Sequence, residues 1–266
     1  MPDPGKLGRK PFDPETPHLV LEKYLDPRAK LAAPGMPVVD WSADVDRSSQ
    51  VSSIPMYLND KLGDCTIAGI GHLFGAVSVY GGHGEVVFED AEIQAVYSRA
   101  GGYVPGNPST DQGCNMADVL ADNKNYGIAD TAGIVHKNVG YARLGNPADE
   151  ELVAQCLDVF GSLYVGFNVQ AHMMSEFSSG QVWTWQPGDT VEGGHCVVLQ
   201  RRHPCGSMHG VLEYWTWGAR QRADFGWQAH AVEEAWVVVT PEWLTANGTT
   251  VTGLDLDQLL ADMSAV

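Results

Sequence analysis

Cys65 follows Gly63-Asp64 and precedes Thr66-Ile67-Ala68, the start of an apolar stretch that runs to about Tyr80. That pattern predicts a thiol at a helix N-terminus, where unpaired backbone N–H groups and the helix dipole stabilise a thiolate. Further along the chain, Gly193-Gly194-His195-Cys196-Val197-Val198-Leu199 reads as a buried strand with a histidine at its head, and a histidine on a rigid strand can take or hold a proton. Asn59 lies six residues before Cys65, close enough for its amide to return and donate an N–H to an oxyanion formed on thiolate attack, with the Cys65 N–H as second donor. Nucleophile, base and oxyanion donor together describe acyl transfer. Each alone has a plainer reading: buried cysteines are mostly structural, and a strand histidine is mostly a satisfied core residue. The run Tyr214-Trp215-Thr216-Trp217-Gly218 with Phe225-Gly226-Trp227 would otherwise be an aromatic core strand and loop.

The elements that must position these groups follow from periodicity. Helices are expected over about 62–80, 88–97, 116–126 and 148–160, the last with Leu152, Val153, Cys156, Leu157 and Phe160 on one face. From Ser162 the period changes, and strands are expected at 163–169, 195–199, 210–217 and 235–239, with a short terminal helix near 254–263. Helices first and an antiparallel sheet second is an α+β order. Residues 1–37 are proline-rich with little apolar periodicity and read as an extended arm, lying along the body or against a partner subunit. Residues 38–245 form the domain, and 246–266 a tail carrying the short helix.

Sixteen basic against 33 acidic residues give a net charge of −17, which argues against binding nucleic acid or an anionic membrane and suits a basic partner. Five cysteines at irregular spacings, with no CxxC, suggest reduced thiols. The polar N-terminus does not resemble a secretory signal, and no apolar run approaches the ~20 residues of a membrane helix, so a cytoplasmic protein is expected. His203, Cys205 and His209 match no zinc spacing well, and neither metal nor organic cofactor is expected.

In order and spacing the chain resembles the papain-like cysteine peptidase superfamily over about residues 37–245. The resemblance rests on Pro37-Val38-Val39-Asp40-Trp41, Asn59, Gly63-Asp64-Cys65, Gly194-His195-Cys196-Val197-Val198 and Trp217-Gly218 before Gly226-Trp227. It implies a helical half, with the cysteine helix, packed on an antiparallel sheet half. It also implies Cys65 as nucleophile, His195 as general base and acid, and Asn59 as oxyanion donor. Three departures stand out. The family normally has Gln at Asn59, Trp at Thr66, and Asn-Ser-Trp-Gly where this chain has Trp215-Thr216-Trp217-Gly218. Trp215 cannot accept a hydrogen bond from the histidine. Thr216 could do so through its hydroxyl, and Glu213 is another candidate. Two functions follow. One is a hydrolase of peptide or other amide bonds working through the Cys-His pair. The other is a non-catalytic structural protein of a phage particle, a head, tail or decoration component whose arm binds a neighbouring subunit, since the pattern also resembles uncharacterised papain-fold proteins of actinobacteria and their phages.

Overall fold

The computed structural model describes residues 3–25, 38–205, 210–247 and 256–265. Its centre is helix α1 (Cys65–Tyr80), of which residues 65–78 are all buried. A helix apolar on every side belongs inside a fold, not on its surface. α1 starts at Cys65, not at 62, because Asp64 takes the N-cap position and leaves Gly63 outside the helix. Helices α2 (Asp90–Gly101) and α3 (Met116–Asn125) pack beside it. Gly102 ends α2 in the left-handed region at φ 73°, where glycine carries no Cβ penalty. Helix α4 (Glu150–Phe160) shows the expected apolar face, and Asp149 caps it by accepting the Leu152 N–H at 3.1 Å.

The second half is a seven-stranded sheet in the order β4 (Gly140–Arg143), β9 (Val232–Val239), β5 (Leu163–Gln170), β6 (Val191–Arg202), β7 (Val211–Thr216), β8 (Ala219–Asp224), with β1 (Val45–Asp46) on β6. Every pairing is antiparallel. A small hairpin, β2 (Ile128–Ala129) with β3 (Val135–His136), stands apart. Strand β6 begins four residues before His195: pairing with β5 draws in Gly193 and Gly194 despite their poor strand propensity. Helix α5 (Ala171–Ser179) and helix α6 (Phe225–Ala231) do not stand out in the sequence, where Gly226 suggests a loop. Asp224 nevertheless accepts the Trp227 N–H at 2.7 Å and caps α6.

Alternation along β5 and β6 separates two environments. One face meets α1: a Cβ on Gly69 would come within 2.8 Å of Tyr164 and 3.0 Å of the Cys196 Sγ, and the Tyr164 hydroxyl donates to the Thr66 carbonyl at 2.6 Å. The other face holds an aromatic cluster in which Phe167 packs on Trp183 (5.1 Å) and Trp227 (4.6 Å). No helix among the described residues is long and apolar enough to cross a membrane.

The arm is fastened along the body. Phe12 packs edge-on to Trp236 at 6.5 Å, Glu22 accepts the N–H groups of Gly145 and Asn146, and a 3₁₀ turn (Leu21–Tyr24) meets the terminal helix. There Tyr24 donates to Asp262 at 2.8 Å on α8 (Leu256–Ala265), while α7 (Pro241–Asn247) packs on α1.

Candidate active site

Cys65 stands at the first turn of α1, only 1% exposed. Burial pushes its thiol up to about 12, and the adjacent Asp64 adds to the rise, against an opposing pull from the backbone N–H groups of Cys196 and Gly8. The helix terminus alone would lower it, so desolvation outweighs the dipole here. In this state the sulfur is a thiol.

The arm covers it from one side, with Cys196 and Tyr164 of the sheet close by. Residues 5–10 run between the loop before α1 and the head of β6, joined to both through backbone groups. Lys6 N–H donates to the Asn59 carbonyl at 2.6 Å, Gly8 and Arg9 N–H both reach the Gly194 carbonyl at 3.1 and 3.0 Å, and Cys114 brackets the segment by donating to Gly8 (2.8 Å) and accepting from Lys10 (3.0 Å). Contact is closest at Gly8, where a Cβ would lie 1.9 Å from the Gly63 carbonyl oxygen. Gly194 serves the same purpose from the opposite side, since its Cβ would meet the Arg9 carbonyl at 2.3 Å. The two glycines before His195 therefore make room, and the arm fills it.

Asn59, 2% exposed, donates from its amide nitrogen to the Lys6 carbonyl at 3.1 Å and to the Leu62 carbonyl at 3.1 Å. A group suited to polarising a carbonyl thus already holds one from the arm.

His195 is fully buried on the aromatic face. Its ring stacks on Trp217 at 4.3 Å and meets Phe167 edge-on at 5.7 Å. Burial pushes the imidazole down to about 3, with the positive charges of Arg9 and His72 adding to the shift. Nε2 lies 2.6 Å from the Thr216 hydroxyl, and Nδ1 has no hydrogen-bond partner among the described residues. If Thr216 accepts the Nε2 proton, Nδ1 keeps its lone pair, the tautomer a general base requires. Of the two orienting candidates, Thr216 is therefore the one beside His195, whereas Glu213 pairs with Arg220 at 3.1 Å and with His203 at 3.3 Å. The thiol and the imidazole share no hydrogen bond in this state. Thr216→Val should strip the buried ring of its one partner and cost about 1–3 kcal/mol of stability in denaturant unfolding, with Thr216→Ser largely restoring it.

Asp64 is fully buried, and neither carboxylate oxygen has a hydrogen-bond partner among the described residues. Burial pushes it up to about 8, so the folded chain holds it protonated at neutral pH. Its contribution to stability is complete below the unfolded carboxylate value of ~3.9 and is lost as pH rises through about 8. Asp64→Asn should flatten the fall in stability between pH 4 and 8, which denaturant titrations at the two ends would measure. His195, with a depressed value, acts in the opposite direction: its stabilising contribution is lost as pH falls from the unfolded ~6.5 towards about 3.

Of the sequence-derived candidates, Asn59 and Cys65 meet around the arm, and His195 meets Thr216. His209 lies outside the described residues, and among those described no group of three potential metal ligands occurs. Sequence reasoning missed Gly8, Arg9, Asp64 and Cys114. Gly8 and Arg9 leave only a faint signal, a Gly-Arg-Lys run in a proline-rich arm.

A cysteine at the head of a buried central helix, packed on an antiparallel sheet whose strand β6 carries His195 on its other face, fits the papain-like α+β fold. Solved structures agree across nearly the whole chain. The structure of xylellain, a cysteine protease from Xylella fastidiosa, matches with a TM-score of 0.65 at 13% identity, covering 90% of this chain and 97% of that one. Procathepsin B S9 from Trypanosoma congolense matches at 0.60 and 10% identity, covering 88% and 86%. Digestive procathepsin L 3 from Tenebrio molitor larval midgut matches at 0.56 and 15% identity, covering 89% and 75%. No family model matches the sequence, and no curated protein matches it. The chain has the papain-like cysteine protease fold in a divergent sequence.

Proposed function

We propose that this chain is a cysteine hydrolase of peptide or other amide bonds, held in a latent state by its own residues 5–10. One observation carries the reading: the backbone groups of Asn59, Gly194 and Cys114 around Cys65 are all engaged by the backbone of an extended peptide, the arm. A cleft that binds a peptide across a thiol is a cleft able to present an amide to that thiol. Two of the similar solved structures are likewise of proforms, by their descriptions as procathepsins.

With the arm lifted, Cys65 regains water and the pull of the α1 N-terminus, and its sulfur becomes a competent nucleophile. His195 Nδ1 takes the thiol proton, and the resulting thiolate attacks the carbonyl carbon. The oxyanion takes the Asn59 amide N–H, now released from Lys6, and the Cys65 backbone N–H. His195, held through Nε2 by Thr216, supplies a proton from Nδ1 to the leaving amine as the C–N bond breaks. Water then hydrolyses the thioester, giving its proton to the same nitrogen.

The second reading, a non-catalytic component of a phage particle, draws on the buried thiol and the unpartnered His195 Nδ1. The two part over cleavage of a peptide mixture by the Gly8→Val chain, read by mass spectrometry. Product that disappears when Cys65→Ala is added supports the hydrolase. An uncleaved mixture, with the arm shown to be released by accessibility of Cys65, supports the structural protein.

A further inference from the structure

Arg9 sits next to the residue that covers the thiol, yet its side chain is 0% exposed. Its Nη1 donates to Glu234 at 2.9 Å, and its Nη2 to Glu233 at 2.5 Å and to Asn168 at 3.1 Å. Nη1 also reaches the Lys10 carbonyl of the arm at 3.3 Å, but the side-chain acceptors all belong to the body, Asn168 on β5 and the two glutamates on β9. They also hold one another in place: the Asn168 amide donates to Glu233 at 2.6 Å, and the Trp236 indole N–H donates to Glu234 at 2.8 Å. Gly166 opens the space for the arginine stem, because a Cβ there would lie 2.6 Å from the Arg9 Cδ and 2.5 Å from the Met116 Sδ.

This is a built cation-binding pocket. The Glu234 side chain is 0% exposed, and a carboxylate buried at that depth without a cation costs several kcal/mol. The forked set of two carboxylates and one amide oxygen matches the planar guanidinium better than a point-charged ammonium. Arg9 enters the pocket from the backbone position that bonds to Gly194, one residue from Gly8, so the pocket's occupant comes from the chain that lies beside Cys65.

We propose that Glu233, Glu234 and Asn168 form a specificity pocket for an arginine side chain of the peptide that enters the cleft when the arm leaves. The inference rests on the latent-hydrolase reading and names its substrate class: peptides carrying arginine beside the reacting bond. The net charge of −17 favours the approach of such peptides. Arg9 is then the internal occupant, and release of the arm exchanges one arginine for another without stranding Glu234.

The test uses the full chain carrying Cys65→Ala, Gly8→Val and Arg9→Ala, so that the arm is lifted and binding is read apart from turnover. The probe is the synthetic peptide Gly-Lys-Leu-Gly-Arg-Lys, blocked at both ends, compared by titration calorimetry with the same peptide bearing citrulline for arginine. The arginine peptide should bind at least about tenfold tighter, and adding Glu234→Gln should abolish the difference. Arg9→Lys, which keeps a cation for Glu234, is the companion variant if Arg9→Ala fails to fold. Equal binding of the two peptides, or no arginine-dependent binding by a folded variant, would overturn the pocket. A failed pocket leaves peptide cleavage by Gly8→Val intact, whereas a failed hydrolase leaves arginine-selective binding without cleavage.

Discussion

Gly8→Val should raise the alkylation rate of Cys65 by iodoacetamide at pH 8 by on the order of 100-fold. The cause is steric before it is electrostatic. A Cβ at residue 8 would lie 1.9 Å from the Gly63 carbonyl oxygen and 2.3 Å from its carbon, and these are backbone atoms that no rotamer change can move aside. The arm must therefore lift at that point. Lifting it rehydrates a thiol now pushed up to about 12, returning it towards the ordinary ~8.5 of a free cysteine or lower at a helix N-terminus. The thiolate fraction then rises by about three orders of magnitude, and the lower nucleophilicity of a less basic thiolate takes back part of the gain. Peptide mapping would assign the adduct. Cys205 is exposed and should label at the same rate in both chains, which makes it an internal reference.

Trp217→Ala should lower stability by about 3–5 kcal/mol, seen as a lower denaturant midpoint at unchanged slope. Trp217 is 1% exposed and joins three groups: it stacks on His195 at 4.3 Å, meets Phe177 edge-on at 4.9 Å, and contacts Trp183 at 6.2 Å. Removing it leaves a cavity beside the imidazole. A second readout separates the site from the general core. Water admitted to the cavity would relieve the desolvation that pushes His195 down to about 3, so its titration, followed by NMR, should move up towards the ordinary histidine value. Trp217→Phe should retain most of the stacking and move both readouts less.

The parts of the site that depend on local signals were legible in the sequence. An apolar run behind Gly63-Asp64 placed Cys65 at a helix start, and the spacing of Asn59 placed its amide in the loop before that helix. The hydroxyl of Thr216 was readable as a partner for His195 because Trp215 has no acceptor to offer. What escaped was non-local. Arg9 and Glu234 meet across 225 residues of chain, and no periodicity in an extended arm says which groove it will enter. One clue was present: Glu234 sits inside the apolar strand Val232–Val239, where a buried carboxylate calls for a cation, and Arg9 is that cation, while Glu233 beside it is exposed. Strand alternation also implied that Cys196 and His195 point to opposite faces, but which of them meets α1 is settled only by the packing of Gly69 on Cys196.

In the proposed latent hydrolase, Cys65 is a nucleophile kept from its substrate by the chain's own arm. Intact-mass spectrometry after brief mixing with an activated peptide ester tests it most directly, comparing the native chain, Gly8→Val, and Gly8→Val with Cys65→Ala. An acyl adduct that maps to Cys65 is expected on Gly8→Val, with little on the native chain and none when Cys65 is replaced. Absence of adduct on Gly8→Val, or an adduct that persists after Cys65→Ala, would contradict it.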